Sequence, residues 1–316
     1  MLSVIIPTRN RSDLLKLALQ SLQSQTLSAD SFEVLVIDNG STDNTKQVVT
    51  STHQQLDNMR YFFDPTPGLH VGRHLGMKMA KSDILVYADD DIEAFPTWLE
   101  GIAESFQDKD VALVGGKNLP KFESEPPDWI LKMWEKDKNG NRILGYLSNL
   151  DLGDEKKEIN PYHVFGCNFS IRKTVLLEAG GFHPDAMPQE LIKYRGDGES
   201  HVSQYILERG YKAFYNPKAS VYHRVSSNRL TEVYFCQRAY NQGISDSYTR
   251  IRKGDCKQTL SLVLWLSIIK YSTLFLFYRI IEYKIRCSYY RGYIYHQRES
   301  KKEQNLIGWI KKQKYF

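Results

Sequence analysis

The feature that most limits how this chain can fold is the apolar run Ile84-Leu85-Val86-Tyr87-Ala88, which breaks off into three consecutive carboxylates, Asp89-Asp90-Asp91. A short apolar run bounded by polar residues reads as a buried strand, and side chains alternate along it, so Asp89 and Asp91 point the same way at its end. Three adjacent anions repel one another and need something positive to offset them. Two carboxylates one residue apart suit a hard divalent cation, Mg2+ or Mn2+, whose open positions phosphate oxygens can fill. The competing reading is a solvated, Asp-rich turn.

The residues before this run alternate in character. Leu2 to Pro7 reads as a strand ended by proline, and Ser12 to Ser24 as a helix that Ser12 caps, with Leu14, Leu15, Ala18, Leu19 and Leu22 on one face. Phe32 to Ile37 is a second strand, ended by Asp38-Asn39-Gly40-Ser41-Thr42-Asp43, where Asn-Gly turns the chain and Ser41 or Thr42 caps the next helix. Met59 to Phe63 is a third strand and Gly72 to Ala80 a helix leading into the apolar run. A βαβαβαβ order at this spacing implies an α/β fold, a mostly parallel sheet flanked by helices, with ligands bound at the carboxyl ends of the strands. Three of those ends carry polar signatures that converge on one rim: Pro7-Thr8-Arg9-Asn10, Asp38-Asn39-Gly40-Ser41 and the acidic triplet. Gly72 and Gly76 let the third helix approach the sheet closely, and Arg73 beside them suits bidentate contact with a diphosphate.

Past the triplet, a helix from Phe95 to Gln107 and a strand from Val111 to Gly115 continue the pattern. Residues 117–160 look irregular and read as an insertion or lid facing an acceptor; Trp129 in it either stacks on a sugar ring or anchors the loop. Structure resumes with a strand over Val164 to Arg172, which contains Asn168, a short helix closed by Gly180-Gly181, and a helix ending at Arg209 and Gly210. Short strands follow at Lys212 to Tyr215 and Ser220 to His223. Asp197 and Glu199, flanked by glycines, fall at the start of the helix that ends at Arg209, where an anionic carboxylate is favoured.

Charge is divided unevenly. The chain has 316 residues and a net charge of +5, yet from Arg250 onward 15 Lys and Arg face 4 Asp and Glu, a net of +11, so residues 1–249 carry −6. A basic tail on an acidic body suits an anionic surface and argues against a catalytic domain that grips nucleic acid. The four cysteines, 167, 236, 256 and 287, lack metal-site or disulfide spacing and read as thiols. The first residues run straight into a strand, which points to a cytosolic catalytic domain.

Taken together, the motifs resemble the family 2 glycosyltransferases, inverting enzymes of the GT-A fold that use nucleotide-diphosphate sugars. The matching elements, in order, are Val4 to Asn10, Val36 to Asp43, Gly72-Arg73-His74-Leu75-Gly76, Asp89-Asp90-Asp91, Gly180-Gly181-Phe182, Gly196-Asp197-Gly198-Glu199 and Val221-Tyr222-His223. The resemblance spans residues 1–225, which it implies form the catalytic domain, with 226–316 a helical, basic and aromatic C-terminal region. It implies that Pro7, Thr8, Arg9, Asp38, Asn39, Gly40, Arg73, Asp89 and Asp90 bind a UDP-, GDP- or dTDP-sugar, and that Asp89, Asp91 and His223 hold the metal. It also implies that a carboxylate near the start of the last helix deprotonates the acceptor hydroxyl. Glu199 stands where the family usually has its catalytic Asp, and Asp197, two residues earlier, is the alternative; Trp129 and Asn168 are acceptor-side candidates.

The implied activity is metal-dependent transfer to a glycan or lipid-linked acceptor in cell-surface polysaccharide synthesis. A nucleotidyltransferase is disfavoured by the lack of a Gly-rich loop followed by Lys, and a non-catalytic scaffold by the intact carboxylates. In the tail, Leu260 to Tyr278 has a single charge, Lys270, and a polar stripe of Ser267, Lys270 and Thr273. Those residues favour a helix lying in the interface of an anionic membrane, at its cytoplasmic face, with Arg279, Lys284, Arg286 and Arg291 meeting headgroups, over one packed on the body or in an oligomer.

Overall fold

The computed structural model describes residues 1–53, 56–254 and 261–316. In chain order the strands are β1 (Leu2–Thr8), β2 (Phe32–Asp38), β3 (Met59–Phe63), β4 (Ile84–Ala88), β5 (Ile92–Ala94), β6 (Val111–Gly115), β7 (Asn118–Phe122), β8 (Arg142–Leu144), β9 (Asn149–Asp151), β10 (Lys157–Glu158), β11 (Asn168–Arg172), β12 (Lys212–Tyr215) and β13 (Val221–Val225). The helices are α1 (Ser12–Gln23), α2 (Thr45–His53), α3 (Leu69–Met79), α4 (Trp98–Ser105), α5 (Asp128–Met133), α6 (Lys173–Glu178), α7 (Ser200–Arg209), α8 (Glu232–Arg252), α9 (Ser261–Tyr278), α10 (Ile281–Lys302) and α11 (Gln304–Ile310).

Eight strands form one sheet in the order β10-β12-β6-β11-β4-β1-β2-β3. The β3-β2-β1-β4 half is parallel throughout, because each strand is followed by a crossover helix. β11 enters antiparallel between β4 and β6, and β10 runs antiparallel along β12. Residues of β1, β2 and β4 are almost entirely buried, since helices cover both faces; Leu15, Leu19 and Leu22 of α1 fill one side and Met77 of α3 the other. A Cβ on Gly76 would stand 2.3 Å from Ile5 Cγ2, and one on Gly72 2.3 Å from Asn39 Oδ1, so both glycines do set how closely α3 lies on the sheet.

The stretch expected to be irregular holds much of a second sheet instead, β5-β13-β7-β9-β8. Its strands are three to five residues long and several carry exposed positions, so they leave no period for a sequence reading to find. The two sheets are joined through the acidic triplet: β4 ends at Ala88, the chain turns through Asp89-Asp90-Asp91, and β5 starts at Ile92. β13 pairs with β5 so that His223 lies opposite Ile92, and the Arg224 amide donates to the Asp91 carbonyl at 2.8 Å.

Two expected helix caps are also corrected. Ser12 lies within the first turn of α1 rather than at its cap, and its amide donates to Asp43 Oδ2 at 3.0 Å. Asp43, not Ser41 or Thr42, accepts the Thr45 amide at the start of α2.

Beyond β13, α8 shares a hydrophobic cluster with earlier residues: Phe235 and Ala239 pack with Ile130, Leu144, Leu147 and Val225, and with Ile281 and Ile285 of α10. α8 and α10 cross so closely that a Cβ on Gly243 would come 2.1 Å from the Tyr289 carbonyl oxygen, and one on Gly292 1.9 Å from that of Tyr240. α9 lies against α10 through Leu264, Ile268, Cys287, Tyr293 and Ile294. Leu260 and Cys256 lie outside the described residues. Among the described residues no helix is long and apolar enough to cross a membrane.

Candidate active site

A cavity of about 330 Å³ opens where the strand ends of the parallel half meet the second sheet and the first turns of α8. Pro7, Thr8, Arg9, Asn39, Asp89 and Asp90 line it, with Arg73 of α3, and so do Glu199, Asp185, Arg195, Tyr234 and Arg238. The three polar strand ends therefore do share one rim, and they are tied together. Thr8 Oγ1 donates to Asp90 Oδ2 at 2.7 Å, Thr42 N–H donates to Asn10 Oδ1 at 2.7 Å, and Asn10 N–H donates to Ser41 Oγ at 2.9 Å. Asp38 lies just behind the wall, its oxygens accepting from Tyr61 Oη and the Ser41 amide, both at 2.7 Å. Gly40 takes a left-handed φ of +84° at that turn, a conformation other residues adopt at a cost.

The positive charge that the triplet requires comes largely from the chain itself. Arg11 Nη1 meets Asp90 Oδ1 at 2.9 Å and Asp91 Oδ2 at 3.2 Å, Arg229 Nη2 meets Asp91 Oδ2 at 3.0 Å, and Arg73 Nη2 stands 3.6 Å from Asp89. Burial pushes the Asp90 carboxyl up to about 6 against the pull of Arg11, and burial likewise raises Asp89 against Arg73. Arg11 and Arg229 were not legible as site residues: each reaches the triplet from a loop far away in sequence. The one signal for them was the triplet's own unbalanced charge.

Among the described residues, no three His, Cys, Asp or Glu side chains are arranged to hold a metal ion by themselves. Asp91 and His223 nevertheless form a pair with the right chemistry. The Leu147 carbonyl accepts from His223 Nδ1 at 2.8 Å, which fixes the ring so that Nε2 faces Asp91 Oδ1 at 3.3 Å, and that carboxylate oxygen is buried without a hydrogen bond. Asp89, one third exposed, lies on the cavity wall beside them. An unbonded carboxylate oxygen facing an oriented imidazole fits a hard dication that takes its remaining ligands from outside the protein.

The two candidate bases separate clearly. Asp197 is 9% exposed, accepts from His183 Nδ1 and Thr249 Oγ1, both at 2.5 Å, and is absent from the wall of this cavity; burial pushes its pKa up, but these partners hold it below the usual carboxylate range. Glu199 lines the cavity, is 27% exposed, and is oriented by the Gly166 amide at 3.2 Å and Arg73 Nη1 at 3.4 Å. Another acid on the wall, Asp185, is taken up by Arg195 at 2.5 Å and the Ala186 amide at 2.7 Å. Trp129 and Asn168 are not on the wall. Trp129 packs edge-on against Phe235 at 4.8 Å, and Asn168 is buried, accepting from Trp98 and donating to Asn118 and the Ala219 carbonyl. Both hold the scaffold.

The fold and the chain have counterparts. The structure is similar to that of the mannosyltransferase PcManGT from Pyrobaculum calidifontis in complex with GDP-Man and Mn2+, with a TM-score of 0.57 over 94% of this chain and 86% of that one; at 16% identity the likeness shows the GT-A fold alone. Glycosyltransferase AglE of Haloferax volcanii is 34% identical over 115 residues, 36% of this chain and 38% of its own length, so the chain spans well under half of that relative. The glucosyl-dolichyl phosphate glucuronosyltransferase of the same organism is 24% identical over 228 residues, 72% of this chain and 69% of that protein. A family model, glycosyl transferase family 2, matches residues 3–179, a span that takes in the strand ends, Arg73 and the acidic triplet. On that match the chain belongs to glycosyl transferase family 2.

Proposed function

We propose that this protein transfers a sugar, with inversion, from a nucleoside-diphosphate donor to an acceptor hydroxyl, and that Glu199 is the base. The observation that carries this reading is the meeting of two sets of groups on one cavity wall. The wall gathers Thr8, Asn39, Asp89, Asp90 and Arg73, as a nucleotide and its diphosphate require, and it presents Glu199 held by an amide and a guanidinium.

Thr8 and Asn39 bind the nucleoside, with Asp38 and Gly40 shaping the pocket behind them, and Arg73 and Arg9 meet the diphosphate. Asp91 and His223, with Asp89 at the wall, would hold Mn2+ or Mg2+, which when bound neutralises charge building on the departing diphosphate. Arg73 shares that task at fixed geometry, since burial and its contacts with Asp89 and Glu199 hold it still. The acceptor hydroxyl gives its proton to Glu199 as its oxygen attacks the anomeric carbon from the face opposite the leaving group.

The acceptor is a glycan, free or lipid-linked, and α9 brings the protein to the cytoplasmic face of an anionic membrane. Support comes from the side of α9 turned away from α10, where Val263, Leu266, Ile269 and Phe277 are exposed beside Lys270 and Arg279. A thermal-shift screen of UDP-, GDP- and dTDP-sugars with and without Mn2+ tests donor binding, because a ligand at a hundred times its Kd adds about 2.7 kcal/mol. Glu199→Gln is expected to keep that shift while transfer falls by at least about a hundredfold. Unchanged transfer in this variant would remove Glu199 from the role.

A further inference from the structure

Arg238 stands apart from the other arginines of the site. On the cavity wall Arg11, Arg73, Arg195 and Arg229 each meet a carboxylate, and Arg9 is exposed. Arg238 is half-buried, has no carboxylate within ion-pair distance among the described residues, and its Nε is buried without a hydrogen bond. An acid that feels its charge, Asp185, is already engaged by Arg195 and the Ala186 amide. A half-buried guanidinium on a cavity wall with no counter-anion and an unbonded Nε is a place where a ligand oxyanion gains an ion pair and hydrogen bonds.

Its position says whose oxyanion. A second cavity, also about 330 Å³, adjoins the first, and the two share Ser148, Glu199 and Arg238 in their walls. Tyr234, Arg238 and Gln242 follow one another at four-residue intervals along one face of α8: Tyr234 lines the first cavity, Gln242 the second, and Arg238 both. The second cavity is otherwise lined by hydroxyls and aromatic rings, among them Tyr146, Tyr162, Ser200 and Ser203, a wall suited to a sugar. A hydroxyl entering from there meets Glu199, which lies in the wall of both cavities.

We propose that this second cavity seats the acceptor and that Arg238 selects acceptors bearing an oxyanion, a sugar carboxylate or a phosphate ester, close to the hydroxyl that reacts. The inference rests on Glu199 being the base, and it adds the class of acceptor. A guanidinium meets either anion through two parallel N–H donors, which lysine cannot reproduce.

Binding tests it without turnover. The nucleotide site is first filled with saturating UDP or GDP, whichever the thermal screen selects, together with Mn2+. Saturation-transfer NMR then compares probes that differ in charge alone: methyl glucuronide against methyl glucoside for the carboxylate, and methyl glucoside 6-phosphate against methyl glucoside for the phosphate, with the galacto series in parallel. At low salt at least one charged probe is expected to bind about tenfold tighter than its neutral twin, the advantage shrinking as salt rises. Arg238→Gln is expected to erase that advantage with the nucleotide Kd unchanged, and Arg238→Lys to keep part of it.

The pattern of preference between the two arms identifies the anion. The proposal falls if no pair discriminates in the unmodified protein or if Arg238→Gln keeps the preference. It falls equally if that variant weakens UDP or GDP as much as the sugar, which would assign Arg238 to the leaving diphosphate. Failure of every nucleoside diphosphate to bind would sink the donor reading instead, and the paired probes still report on Arg238 without it.

Discussion

Gly166 shows how little room the reacting groups leave one another. A Cβ there would stand 2.6 Å from Arg73 Nη2 and 2.9 Å from Glu199 Oε1, so Gly166→Ala pushes apart the guanidinium and the carboxylate that the Gly166 backbone holds. Transfer is expected to fall about tenfold or more, with the donor-induced thermal shift largely kept, which steady-state kinetics beside a melting curve would check. Buried imidazoles set the acid limit of the fold. Burial lowers His70, His201 and His296 to about 4 and His74 to about 3, below their unfolded value near 6.5. The unfolded chain therefore binds more protons in this window, so stability is full above about pH 6.5 and is lost as pH falls toward 4, by up to about 1.4 kcal/mol per pH unit for each group. Urea unfolding at pH 7 and pH 5 measures it, and His74→Gln is expected to flatten the slope. On the cavity wall, the triplet and Arg73 could be read in advance because each sits beside a local signal, a strand end or a glycine, whereas Glu199, like its alternative Asp197, was reached through the family resemblance. Arg11, Arg229 and Arg238 could not. Arg11 pairs with Asp90 across 79 residues and Arg229 with Asp91 across 138, while Arg238 is marked only by an unbonded nitrogen, which no sequence pattern records.

The helices divide between those that tolerate change and those that do not. At the α8–α10 crossing, Gly292→Val would force a side chain into the Tyr240 carbonyl, and is expected to cost about 1–3 kcal/mol or separate the helices. Gly308 in α11 provides the contrast, because a Cβ there would meet nothing within 4 Å: Gly308→Ala is expected to stabilise by about 0.5–1 kcal/mol. Thermal unfolding of the two variants side by side separates crowding from loss of chain freedom. The same contrast explains which elements were foreseeable. β1, β2, β4 and β6 are short, mostly apolar segments buried on both faces, so composition marks them. β8, β9 and β10 are held by neighbours in space and carry Arg142, Asp151 and Lys157 among their few residues, so no local pattern distinguishes them from loop.

Across the whole molecule, the acidic body and the basic helical end meet along α8. One face of this helix lines the cavity with Tyr234 and Arg238, and another packs Phe235 and Ala239 into the cluster that holds α10. If α9 docks on a membrane as proposed, Leu266→Glu combined with Ile269→Glu should abolish co-sedimentation with vesicles containing phosphatidylserine and leave nucleotide affinity unchanged, because both side chains are exposed and neither lines the cavity. Retained sedimentation would assign that face to something other than lipid. At Gly243 and Gly292 backbone lies directly against backbone, with no flexible side chain between to absorb displacement. A push or pull on the basic end is thus passed to the rod that carries Tyr234 and Arg238, so the proposed anchor and the proposed acceptor site would share a single mechanical part.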